Sequence, residues 1–204
     1  MNAFSAPARP IRQRLGAWVP LLTLAVLVLA AEAGGDGARL LLRYDRAGLA
    51  NGEVWRMLTA HVVHLGWLHA AMNLAALGII RFLIADAFSP GDWVGASAAS
   101  ALGIVAALYF LSPEIDWYVG LSGVLHGLLG AGAIALRRSA PGFAGLLAAG
   151  LAAKLLLEQV SGPLPLTESA AGGPVVVDAH LHGAIAGVAY GIFRSASRYR
   201  RSRL

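Results

Sequence analysis

The chain has 204 residues, 57% of them apolar and only 13% charged, with a formal net charge of +5 and no cysteine. Soluble domains carry about 45–50% apolar and about 25% charged residues, so this balance, with a mean hydropathy of +0.65, excludes an ordinary soluble globule and points to the membrane. The length suits one compact domain, and the missing cysteines exclude both a disulfide framework and a thiol nucleophile. A spanning helix needs about 20 mostly apolar residues. In chain order the candidates are 17–33, 68–86, 92–111, 122–136, 141–157 and 178–194, the fourth and fifth being short. The predicted fold is all-α: a polytopic membrane protein built as a bundle of six transmembrane helices. Residues 1–16 read as a cytoplasmic tail, 17–194 as the membrane domain and 195–204 as a second, basic tail. A rival for the N-terminus is a cleavable signal peptide, with Ala31-Glu32-Ala33 as its processing site.

The basic residues form groups: Arg9, Arg12 and Arg14; Arg137 and Arg138; Arg194, Arg198, Arg200, Arg201 and Arg203. An isoelectric point near 10.2 would suit nucleic acid, but arginines at chain ends and between apolar segments are the pattern of cytoplasmic membrane loops. The expected partner is the lipid bilayer, with no nucleic acid. All three groups fall on the cytoplasmic side of a six-span topology. Both termini are then cytoplasmic, and a bacterial inner membrane is the expected location. Ser122 and His180 follow acidic segments (Glu114 and Asp116; Glu158, Glu168 and Asp178) and so lie near the outer face. Residues 35–67 read as a long amphipathic loop in the outer interface, with Asn51-Gly52 a turn and Trp55 and Tyr44 at headgroup depth.

The sixth segment carries Gly183, Gly187 and Gly191 at every fourth residue, a bare stripe that lets two backbones approach. At about 100° per residue, His180 lies within about 20° of the stripe's centre and His182 about 140° away. Gly123, Gly127 and Gly130 offer a matching face on the fourth segment. Packing the two faces would bring Ser122 to His180. A serine hydroxyl attacks only when an adjacent base takes its proton, and a neutral imidazole is the usual base. Ser122 could instead be a plain helix cap. His126, one turn after Ser122, competes with His180 as base, or is a buried polar residue bonded to a neighbouring helix. His69 and Asn73 stand four apart on one face of the second segment, and their N–H donors could stabilise an oxyanion; the bland alternative is interhelical hydrogen bonding. His61, His64 and His69 lack a recognised metal-ligand spacing, so neither metal nor other cofactor is expected. Lys154 and Glu158, also four apart, are expected to pair near the outer surface.

Taken together, Trp55-Arg56, His69-x-x-x-Asn73, Gly120-x-Ser122-Gly123 and His180-x-x-Gly183-x-x-x-Gly187 resemble, in order, the rhomboid intramembrane serine proteases over roughly residues 40–191. The resemblance implies Ser122 as nucleophile and His180 as base, a dyad without a carboxylate. It also implies an oxyanion hole from His69, Asn73 and the Ser122 N–H, with Gly120, Leu121 and Gly123 around the substrate. Leu121, the following Val-Leu-His126-Gly127 and Leu42-Arg43-Tyr44 are more similar to the rhombosortase branch. That resemblance implies processing of bacterial surface or secreted proteins bearing a C-terminal Gly-Gly motif, a membrane helix and a basic tail. His182 departs from the usual small residue. The chain is thus expected to be an intramembrane serine endopeptidase acting on membrane-anchored substrates. A non-catalytic relative that binds membrane helices, and a small transporter with a histidine-lined path, are the rivals from other classes.

Overall fold

The computed structural model describes residues 16, 18–85, 87–165 and 167–201. Its elements are α1 (Trp18–Ala33), α2 (Gly35–Leu42), β1 (Tyr44–Asp45), α3 (Arg46–Ala50), α4 (Arg56–Thr59), α5 (Trp67–Ile84), α6 (Pro90–Leu111), β2 (Trp117–Tyr118), α7 (Ser122–Leu136), α8 (Pro141–Ser161), α9 (Thr167–Ala171) and α10 (Val177–Arg201). The chain is an all-α, multi-pass membrane protein. By length and apolarity α5, α6 and α8 each suffice to cross a membrane, and α1 and α2 pass the same test only when taken together across the bend between them. The helix α7 has only 15 residues but is the centre of the bundle, with eleven of them buried. The C-terminal arginines dilute the apolar character of α10.

Four details differ from the sequence expectation. The fifth helix is not short: α8 runs 21 residues and stops where Gly162 takes φ +78°, a left-handed conformation that glycine adopts at no steric cost. The sixth helix continues through Arg201, so part of the predicted basic tail is helical. There Arg194 donates to Asp92 at 2.6 Å, and Arg198 binds the same carboxylate. Asp92 and Ser89 also form a capping box at the start of α6.

The segment 35–67 is a run of short helices rather than an open loop. The chain turns through 118° between α1 and α2, at Gly34 and at Gly35 with φ +60°. Arg56 is buried and donates to the carbonyls of Leu40 (2.9 Å) and Arg43 (2.8 Å), pinning the segment from inside. Tyr44 does not face the lipid headgroups. It is fully buried and pairs antiparallel with Tyr118, as Asp45 does with Trp117. Arg46 donates to the carbonyls of Leu108, Tyr109 and Ser112, satisfying acceptors that a helix end leaves open.

The close packing lies between α7 and α10. A Cβ added at Gly123 would stand 2.6 Å from the Ala179 carbonyl oxygen, and one at Gly127 2.7 Å from that of Gly183. In return, a Cβ at Gly183 would strike the Gly123 carbonyl, and one at Gly187 the Gly127 backbone. At Gly191 the nearest backbone is Ala131, at 3.2 Å. Backbone therefore rests on backbone along the interface, and the start of α7 is brought beside the first turn of α10.

Candidate active site

Ser122 is the first residue of α7, where a helix leaves its N–H groups without intrahelical partners. Gly120 precedes it at φ +119°, and a Cβ there would lie 3.2 Å from the His69 ring. The Tyr118 hydroxyl donates to the Gly120 carbonyl at 2.5 Å. Leu121 is buried, and its N–H donates to His64 Nε2 at 3.4 Å. Burial holds the His64 imidazole down to about 3, and so neutral. The turn that presents the serine is thus fixed by glycine conformation, a tyrosine and a histidine.

His180 Nε2 lies 2.9 Å from Ser122 Oγ. The His180 ring is 3% exposed and stacks on His126, with centroids 4.3 Å apart and planes 16° from parallel. Among the described residues His126 bonds within its own helix rather than to the neighbouring helix expected. Its Nδ1 donates to the Ser122 carbonyl at 2.7 Å, one turn back on the same helix. His182 makes neither contact, and its Nε2 has no hydrogen-bond partner among the described residues.

His69 and Asn73 are both buried on α5. Asn73 Nδ2 donates to the His69 carbonyl at 3.0 Å. His69 Nδ1 accepts from the Leu65 N–H at 3.4 Å, so a neutral His69 carries its proton on Nε2, the atom 3.4 Å from where a Gly120 Cβ would be. With Ser122, His126, Lys154 and His180 these residues line a crevice of about 320 Å³. His61, His64 and His69 do not converge on a point: His61 Nε2 donates to the Ala101 carbonyl at 3.2 Å, and the other two accept from separate backbone N–H groups.

Two residues at the site went unrecognised in the sequence. One is Tyr118. The other is Glu158, expected near the surface but 1% exposed. It does pair with Lys154, at 2.6 Å through Oε1, while Oε2 lies 2.9 Å from His180 Nδ1. The available signal was a carboxylate inside an apolar span, which is rare and faces the bundle interior.

Known proteins agree with this architecture. A Rhomboid domain model matches residues 51–197, more than half of the chain, and the chain belongs to the rhomboid family. It is 27% identical over 117 residues to rhomboid protease GluP of Bacillus subtilis (strain 168). The match covers 56% of this chain but 23% of that protein, so the chain spans well under two thirds of its relative's length.

Proposed function

We propose that the chain is an intramembrane serine endopeptidase that cleaves membrane-anchored proteins near the outer face of a bacterial inner membrane, with Ser122 as nucleophile and His180 as general base. The observation that carries it is the 2.9 Å contact between Ser122 Oγ and His180 Nε2 inside a largely buried crevice. In the reaction Oγ bonds to the scissile carbonyl carbon while its proton passes to Nε2. The negative charge on the former carbonyl oxygen is met by the Ser122 N–H, the His69 Nε2–H and the Asn73 amide. Collapse breaks the C–N bond, and the Nε2 proton leaves on the amine. The resulting ester is then released to water or to another acceptor. Covalent labelling of Ser122 by a fluorophosphonate tests the reading, because neither a helix-binding relative nor a transporter would label.

Asn73→Ala is expected to lower turnover by roughly 10²–10³-fold, the usual cost of removing one oxyanion donor. An unchanged rate in both Asn73→Ala and His69→Ala, measured by reporter cleavage, would remove them from the hole.

The substrate class follows from access to Ser122. The crevice in front of it holds only about 320 Å³, and a helix exposes no backbone to attack. A substrate must unwind locally, which glycine favours, being about 1 kcal/mol worse than alanine in a helix. The rhombosortase resemblance implies a Gly-Gly target at the outer end of a membrane helix, and the need to unwind is in keeping with it. Replacing that Gly-Gly by Val-Val in a reporter is expected to suppress the mass shift of processing; undiminished cleavage would refute the size and unwinding requirement.

A further inference from the structure

We propose that Glu158 is a positioning residue that fixes the tautomer of His180 and stabilises its protonated form, so that the chain works with serine, histidine and a buried carboxylate rather than the bare dyad that its family resemblance implies. The proposal rests on the serine-protease reading. An ionised carboxylate only accepts hydrogen bonds, so the 2.9 Å contact from Glu158 Oε2 places the neutral imidazole's proton on Nδ1. Nε2 is then bare, and the Ser122 hydroxyl donates to it. When Nε2 takes the serine proton, the new positive charge develops next to the Glu158 carboxylate.

Geometry separates this role from a mere ion pair with Lys154. The two partners occupy different oxygens, Lys154 on Oε1 and His180 on Oε2. The buried residues of α8 are Ala144, Leu155 and Glu158, so the carboxylate is the polar group among the buried residues of this helix, turned inward at the site. Lys154, whose side chain is 34% exposed, is not buried with it and balances its charge from the edge of the crevice. The charged or titratable groups around His180 are therefore Glu158 and Lys154 from α8, His126 from α7 and His69 from α5.

The test uses the full chain in micelles, with kcat, KM, thermal stability and the pH profile of kcat/KM read together. E158Q is expected to lower kcat by about 10²–10⁴-fold with little change in KM, as when the third group of a serine triad loses its charge. Removing the anion disfavours the imidazolium, so the acidic limb moves to lower pH. K154M removes the cation while keeping the carboxylate, so the limb moves to higher pH. E158D, which keeps the charge, is expected to recover part of the loss. A structural ion pair would make E158Q and K154M similar in stability and leave the limb in place; that result, or wild-type kcat in E158Q, overturns the proposal. Wild-type protein supplies a readout that needs no folded Glu158 variant: a strongly deshielded Nδ1 proton resonance, lost in His180→Ala. Its absence overturns the assignment, whereas cleavage retained by Ser122→Ala would overturn the serine reading and leave the resonance untouched.

Discussion

His180→Ala is expected to abolish cleavage as completely as Ser122→Ala, while His182→Ala remains active. Nucleophile and base act as one unit, so removing either costs about as much as removing both, of order 10⁶-fold in a serine protease. The two histidines stand two residues apart on one helix, yet only His180 reaches Oγ, at 2.9 Å. Ser122→Ala leaves the fold intact, because any capping by this hydroxyl is worth about 1 kcal/mol. His126 does not substitute for His180: its Nδ1 is committed to the Ser122 carbonyl. The measurements are reporter cleavage and fluorophosphonate labelling of each purified variant. An inactive His182→Ala beside an active His180→Ala would show that the base had been assigned to the wrong face of α10.

Gly187→Leu is expected to lower the melting temperature sharply and to remove activity with it. Overpacking a filled interior costs about 1–3 kcal/mol and occasionally more. Here the obstruction is the Gly127 backbone, which no rotamer change relieves. A branched side chain must push α10 from α7, and the Ser122–His180 contact lengthens. The control is Gly150→Ala on α8, where an added Cβ meets nothing within 4 Å and helix propensity favours alanine by about 1 kcal/mol. A Gly187→Leu protein with wild-type melting and wild-type turnover would mean that this backbone contact does not hold the site.

The fold class was legible because its signals are local. Apolar length locates α5 and α6 to within a few residues, and a glycine at every fourth position gives α10 one bare face whatever it packs against. Signals that depend on a distant partner were not legible. Tyr44 looked interfacial because aromatic residues favour headgroups; pairing with Tyr118, 74 positions away in sequence, buries it instead. Lys154 and Glu158 looked like a pair near the outer surface because they stand four apart late in the fifth segment; they do pair, but the carboxylate is buried and also meets His180. The contact between Glu158 and His180 joins two helices across 22 residues, and no period in either helix encodes it. The bend at Gly34 and Gly35 shows the opposite limit: the glycines are visible in sequence, the 118° angle is not.

The shortness of α7 bears on where water can be. Fifteen residues rise about 22 Å, against a hydrocarbon layer of about 30 Å. If its Arg137 end is level with one surface, Ser122 sits about 8 Å inside the other by that difference. A hydroxyl at this depth is dry unless the crevice above it is wet, and Lys154 at the crevice edge gives water a foothold there. For the proposed reaction, hydrolysis of the ester is then governed by how the pit fills with solvent, and a lipid chain or substrate helix lying across the opening would act as a stopper. The truncated central helix makes the membrane, as much as the protein, the wall of the reaction vessel.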